Sequence, residues 1–395
     1  MTDDHAALAA RTRFAAAAAA GHDWEAATKA CLDRLGPVDG CNLGFVYVAD
    51  SLAGDMAAIV TLLRAATGIR DWAGSVGVGV LGGAGGKSDG ELFDKPAVAV
   101  LAAQLPAEAY RLFPMLTEDT APLARAAGGW LDRNGGPIAY IHADPRCEKL
   151  PHLLSALSDN LGAFVVGGLT SSRGAYPQAT IPGSTAVMPS GPVAEGGVSG
   201  VFFSQGAGVM VGLSQGCVPI GPRRRITSCQ ENVLIEIDGR PALEVLKEDI
   251  GPEMARDLRH IGHVIHAALP VTGADTGDFL VRNLVGIDPN HGWVAIGERV
   301  EDGQSLMFVR RDQEAAETDL RRMLAKLKKR AGGAPKGGLY VTCLARGRNT
   351  FGADGDELAI IREELGDLPL AGYFASGEIS NARMYGYTGV LTLFT

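Results

Sequence analysis

The sequence predicts an α+β fold, with mixed β-sheets covered by helices in two linked domains. Three observations carry that reading. A unit of strand, loop, helix, strand and small-residue loop recurs three times along the chain. The helices in it space apolar residues by three and four, as one buried face requires. Its strands are nearly continuous apolar runs, as expected where both faces of a sheet are covered.

The first copy runs from Leu43–Val48, through a helix with Met56, Ile59, Val60 and Leu63, to Trp72–Gly77. The second runs from Ile138–Ile141, through Leu153, Leu154, Leu157 and Leu161, to Phe164–Ser172. The third runs from Leu339–Leu344, through Leu358, Ile361 and Leu365, to Leu368–Glu378. Each second strand ends in Gly with Ser, which points to duplication. Ahead of the first copy, the run Ala15–Ala20 reads as the start of a helix continuing through Trp24, Ala27 and Leu32.

The stretch between copies two and three is strand-rich. Val198–Ser204 and Ala207–Ser214 flank Gln205-Gly206 and read as a hairpin. Asn232–Ile237 alternates as a half-buried strand, Asp238-Gly239-Arg240 makes a turn, and Pro241 opens a helix over Ala242–Leu246. Val294–Gly297 and Leu306–Val309 read as a second hairpin. A long amphipathic helix follows, with Leu320, Met323, Leu324 and Leu327 on one face. It closes on Lys328-Lys329-Arg330, cations that suit the negative end of the helix dipole. These elements place a domain boundary near Asp238, giving a helical extension over 1–39, a first domain over 40–237 and a second over 238–395.

Composition narrows the function. Of 395 residues 46% are hydrophobic and 21% charged, enough to bury a sizeable core. The 53 glycines lie within apolar stretches, where they signal tight turns and close backbone approach. The net charge of -9, with no basic stripe interleaved with aromatics, argues against nucleic acid and anionic membrane as partners. Six scattered cysteines without paired spacing read as buried thiols of a reducing compartment. The acidic start Met1-Thr2-Asp3-Asp4 is unlike a signal peptide, and no run reaches the ~18 apolar residues of a membrane span. The expected location is cytoplasmic.

Several motifs fail on their context. Gly212-Leu213-Ser214-Gln215-Gly216 has the spacing of a nucleophile elbow, but Pro219 and Pro222 forbid the helix that must follow, so a strand ending in a tight turn is expected. Gly77–Gly82 has the spacing of a dinucleotide fingerprint, and Gly86-Lys87-Ser88 resembles the end of a phosphate loop. The glycine-rich run Gly83–Gly90 opens no helix, and a loop between strands, able to serve as a lid, is the expectation. His260, His263 and His266 recur every third residue, which puts two but hardly three on one metal, and partly exposed histidines are expected instead. Cys217 and Cys229 are nucleophiles only if a base lies nearby, and otherwise structural thiols. Arg223-Arg224-Arg225 reads as a solvated charge run or an anion contact.

The segments Ser214–Pro222, Ile226-Thr227 and Glu236–Ala242 resemble the junction of the FIST N and FIST C domains. Asp278–Pro289, Ala345–Arg348 and Pro369–Ile379 resemble further FIST C motifs, and Trp72–Gly79 a strand end of FIST N. The similarity spans about residues 40–395, with FIST N over 40–237 and FIST C over 238–395. Where that family often carries His-Gly before the last strand, this chain has Tyr385-Gly386. The resemblance implies a small-ligand sensor, with amino acids the family's proposed ligands, no cofactor, and a separate signalling partner protein. The candidate ligand-binding residues are Arg346, Arg348, Ser376, Gly377, Glu378, Arg282, Asn283 and Ser75. Gly377 lets the backbone turn beside a pocket, and Glu378 needs a partner if buried. Arg346 and Arg348 come to the same sheet end if the two strands of the third copy are parallel, so a cation and an anion there would grip an amino acid; the alternative is a structural ion pair. No catalytic or metal-binding residue is assigned. The competing classes are a cysteine-dependent hydrolase or acyl transferase and a protein-interaction scaffold.

Overall fold

The computed structural model describes residues 13–84, 90–183, 193–259, 261–271, 279–352 and 356–395. The chain divides into two units, one of Met1–Ser214, Arg321–Met384 and Thr388–Thr395, the other of Gln215–Leu320 and Tyr385–Tyr387.

The larger unit repeats one plan three times. The first module comprises β1 (Phe14–Ala20), α1 (Trp24–Leu35), β2 (Leu43–Ala49), α2 (Met56–Thr67), β3 (Asp71–Gly77), β4 (Gly79–Gly83), β5 (Glu91–Phe93) and β6 (Ala97–Ala103). The second comprises β7 (Tyr110–Leu116), α3 (Ala121–Asn134), β8 (Ile138–Ala143), α4 (Leu150–Asp159), β9 (Phe164–Leu169), β10 (Gln178–Ile181), β11 (Val193–Ala194) and β12 (Val198–Phe203). The third opens with β13 (Val209–Ser214). The chain then builds the second unit from β14 (Val218–Pro219), β15 (Arg224–Gln230), β16 (Val233–Ile237), β17 (Arg240–Pro241), α5 (Ala242–Met254), β18 (Ile265–Pro270), β19 (Phe279–Asp288), β20 (Trp293–Ile296) and β21 (Ser305–Arg310). Helix α6 (Gln313–Ala331) is divided between the units after Leu320. The third module continues with β22 (Gly337–Cys343), α7 (Arg348–Phe351), α8 (Asp356–Leu365), β23 (Leu370–Ala375), β24 (Glu378–Ser380), β25 (Arg383–Tyr385) and β26 (Gly389–Phe394).

The three sheets of the larger unit are ordered β1-β6-β2-β3-β10-β11, β7-β12-β8-β9-β24-β25 and β13-β26-β22-β23-β4-β5. In each, the middle pair is parallel and joined by a helical crossover, as parallel neighbours demand. The strand beside that pair is always borrowed. β4 of the first module pairs with β23 of the third, β10 of the second with β3 of the first, and β24 of the third with β9 of the second. The modules therefore interlock in a ring, and none completes its sheet alone. Their inner faces share one apolar core, to which Phe45, Leu101, Val166, Val201, Leu339, Val341 and Phe394 contribute.

The recurring glycine of each copy has one job. A Cβ at Gly74, Gly167 or Gly372 would lie 1.9, 2.0 or 1.8 Å from the carbonyl oxygen of Val46, Ile141 or Tyr340 on the parallel neighbour. Only a residue without Cβ lets these pairs approach as they do.

In the second unit, β15, β16, β20, β19, β18 and β21 close into a six-stranded barrel through the pairing of β21 with β18. Helix α5 packs Ala242, Leu243, Val245, Leu246 and Ile250 against its apolar face.

Three expectations fail. Phe14–Ala20 is a strand, paired residue for residue with Ala97–Ala103, although alanine favours helix. Ala16 and Ala18 face the shared core while Ala17 and Ala19 face α1, and small side chains suit a strand covered on both sides. The carbonyls of Ala17 and Ala18 accept hydrogen bonds from Cys31 and Arg34 of α1. β12 and β13 form no hairpin: the 3-10 turn Gln205–Ala207 and Gly208, at φ 62°, carry the chain into another sheet, where β13 pairs with β26. β20 and β21 also do not pair, because closing the barrel sets them at non-adjacent places in its ring.

Gly372→Ala is expected to destabilise the larger unit by ~3 kcal/mol or more, since the backbone itself must shift. Chemical denaturation measures this; a loss below ~0.5 kcal/mol would contradict the close-approach account.

Candidate functional site

The three parallel pairs align in register, and one level of the shared core is polar. It is formed by Tyr47 beside Ser75, His142 beside Gly168, and Val341 beside Tyr373. The borrowed strands extend that level, with Gln178 next to Ser75, Glu378 next to Gly168 and Val80 next to Tyr373. Ser199 lies next to His142 on β12. Tyr47, Ser75, His142, Tyr373 and Glu378 are all 0% exposed. The level beneath, with Phe45, Ala73, Val166, Leu339 and Ala371, is largely apolar.

Aromatic rings hold the polar level together. Tyr47 stacks on Tyr373 at 5.0 Å between centroids, and His142 meets the edges of Tyr47 and Tyr140 at 5.6 and 5.5 Å. The hydroxyls of Tyr47 and Tyr140 lie 2.9 Å apart and share a hydrogen bond, and His142 Nε2 is 3.4 Å from the Tyr47 hydroxyl. Burial pushes the Tyr47 and Tyr373 phenols well above their ordinary range and lowers His142 to about 3, so the imidazole is neutral. Gln178 bridges to the Ser199 hydroxyl (2.7 Å) and the Gly197 carbonyl (3.0 Å).

Glu378 is the distinctive group. Its Oε2 accepts from the Thr388 hydroxyl at 2.7 Å and the Thr388 amide at 3.1 Å. Burial nevertheless raises its carboxyl to about 8, against the lowering effect of those bonds and of Arg346. At neutral pH it is therefore largely protonated, with the proton best placed on Oε1. Glu378 Oε1, the Tyr373 hydroxyl and His142 Nδ1 have no hydrogen-bond partner among the described residues. Such an atom in a core costs ~1–3 kcal/mol. Three on one level are a site at which a small polar molecule would be satisfied.

The ends of the three strand pairs meet there too. Leu169 N donates to Gly377 O at 2.8 Å and Val78 N to Ser171 Oγ at 2.9 Å, while the Ser171 hydroxyl donates to Phe374 O. Strands β22 and β23 are parallel, as the placement of Arg346 and Arg348 required. Arg346, 1% exposed, holds Glu357 at 2.6 Å. Glu357 also accepts from Tyr340 (2.5 Å), Thr342 (3.1 Å) and Gly347 N (3.3 Å). This is a buried pair with its lone pairs satisfied, the arrangement of a structural anchor.

The other sequence-derived candidates scatter. Arg348 is exposed, bonded to Asp94 at 2.6 Å and laid over Phe93. Ser376 is exposed and Gly377 buried. Arg282 and Asn283 belong to the barrel, where Arg282 holds Glu298 at 2.7 Å and Asn283 accepts from the Tyr387 hydroxyl at 2.5 Å. His266 lies on β18, 1% exposed and stacked on Tyr387, with burial lowering it to about 4; His260 lies outside the described residues. Gly86-Lys87-Ser88 also lies outside them, and Gly79–Gly83 is the borrowed strand β4. Ser214 ends a strand, with Gly216 at φ 66° turning the chain. Burial and Asp302 push the Cys229 thiol up to about 11, which disfavours a nucleophilic thiolate.

Tyr47, His142 and Tyr373 were not singled out by sequence. The signal was present: aligning the copies on Gly74, Gly167 and Gly372 makes Ser75, Gly168 and Tyr373 equivalent, each one residue beyond the constrained glycine.

Residues 42–240 match the FIST N domain and residues 242–381 the FIST C domain. This chain belongs to the FIST family, whose domains are generally taken as small-ligand sensory domains. It is similar to the uncharacterized protein Rv0628c of Mycobacterium tuberculosis (strain ATCC 25618 / H37Rv), at 36% identity over 317 residues, covering 77% of this chain and 79% of that protein. The uncharacterized protein Mb0898c of Mycobacterium bovis (strain ATCC BAA-935 / AF2122/97) is 34% identical over 316 residues, with coverage of 77% and 79%. No helix among the described residues is long and apolar enough to cross a membrane.

The raised carboxyl gives a pH test. An acid whose folded pKa lies above its unfolded one stabilises the fold fully below the unfolded value, and that stability is lost as pH rises through the folded value. For Glu378 the window runs from its ordinary value, 4.5, to about 8. Glu378→Gln should therefore melt increasingly above the parent protein as pH rises from 5 to ~8. A constant difference across that range would contradict the assignment.

Proposed function

We propose that the chain is a small-ligand sensor whose receptor site is the polar level of the three-module core, with an amino acid or similarly small polar metabolite as ligand. The observation that carries this reading is three polar atoms, on Glu378, Tyr373 and His142, that lack a hydrogen-bond partner among the described residues within one completely buried level. A neutral carboxyl, a phenol and a neutral imidazole recognise a compact molecule bearing both donors and acceptors. An ammonium group brought against Glu378 favours its ionised form, so such a ligand releases a proton on binding.

The response follows from the interlock. Glu378 sits on a strand borrowed from one module and hydrogen-bonded to another, so occupancy biases how tightly the modules close on each other. Family membership supports a sensory role, and a separate cytoplasmic protein would read the closed state. The cysteine-hydrolase alternative loses support from the raised Cys229 thiol.

A calorimetric screen of the twenty amino acids and related metabolites tests the proposal. A binder is expected whose affinity falls about tenfold in Tyr373→Phe and in Glu378→Gln. Heat signals in buffers of different ionisation enthalpy report the proton released by an ammonium ligand. Failure of every compound to bind, or binding that both substitutions leave unchanged, would remove the basis of the reading.

A further inference from the structure

The barrel carries a second feature, independent of the three-module core. Where β18 ends and β19 and β21 begin, a polar basin of about 760 Å³ is lined by Arg223, Leu269, Leu280, Glu298, Arg299, Gln304 and Ser305. Its volume is in the range of small-molecule sites, and the mouth of a barrel is a common place for one.

Among the described residues that line the basin, the charge is positive once its pairs are counted. Glu298 is held by Arg282 at 2.7 Å, so its charge is compensated. Arg299 is 81% exposed, and its one ion pair among the described residues, with Glu231, is long at 3.9 Å. Arg223 has no ion pair among the described residues. Arg224, which opens β15, turns instead to α5, where Asp249 and Glu248 hold it. Arg225 borders the basin at Gly303, where a Cβ would lie 3.5 Å from its Nη2. Neutral donors complete the set. The Gln304 side-chain oxygen accepts from Glu301 N at 3.1 Å, which leaves its amide NH2 to donate, and Ser305 contributes an exposed hydroxyl.

We propose that this basin binds a small anion carrying a carboxylate or phosphate group. Guanidinium forks at Arg223 and Arg299 clamp its oxygens, Gln304 and Ser305 donate to those left over, and Leu269 with Leu280 receives an apolar portion. The site is separate from the polar level of the core and survives or fails on its own.

The test is calorimetric titration of the full chain with malonate and with inorganic phosphate, in low and high salt. Whichever probe binds reports whether the carboxylate or the phosphate form is preferred. Arg223→Ala with Arg299→Ala is expected to weaken that probe at least tenfold, with unchanged melting temperature because both side chains are exposed. Glu378→Gln is expected to leave it untouched, and added salt to weaken it. Absence of binding by both probes at millimolar concentration, or equal affinity in the double substitution, overturns the proposal.

Discussion

The structure depends on one constraint: each module of the larger unit lends a strand to one of the other two and borrows a strand from the remaining one. The exchange runs around the ring without a break, from β4 to β23, β24 to β9 and β10 to β3. No module can close its own sheet, so the shared core forms only when all three are present. The polar level exists for the same reason, since Gln178 and Glu378 reach it on borrowed strands. Backbone geometry makes the interlock possible, because the parallel pairs are drawn together at positions that tolerate no side chain.

The chemistry follows from where polarity is buried. Burial keeps this carboxyl largely protonated at neutral pH, and its remaining oxygen has no partner among the described residues. The neighbouring Arg346–Glu357 pair has the opposite character. It is equally buried but closed on itself, with Tyr340, Thr342 and the Gly347 amide meeting the carboxylate. The one carboxylate has its lone pairs met by the protein, whereas the other keeps an oxygen with no partner among the described residues.

Much of this was legible in the sequence. The three strand-helix-strand copies and the glycines at their second strands stand in the structure as read, and so do the buried helix faces except for Leu161, which lies half-buried beyond α4. The family motifs pointed to the right class. Ser75 and Glu378 were chosen from the repeats, and both lie on the polar level. What the sequence hid has physical causes. Ala15–Ala20 reads as helix because local propensity cannot register a strand covered on both faces. The borrowed strands are short and begin at or beyond the ends of the copies, so nothing local reveals which sheet they join. Residues that meet only through that exchange, such as Glu378 and Gly168, are far apart in the chain. Arg346 looked like a ligand clamp because its partner Glu357 lies one helix away.

The most direct test of the account is the experimental electron density of the polar level at high resolution. The account predicts ordered non-protein atoms, a ligand or waters, bonded to Glu378 Oε1 and the Tyr373 hydroxyl, with the three modules interlocked as described. A dry level, in which those two groups bond directly to each other and His142 finds a protein partner, would contradict it.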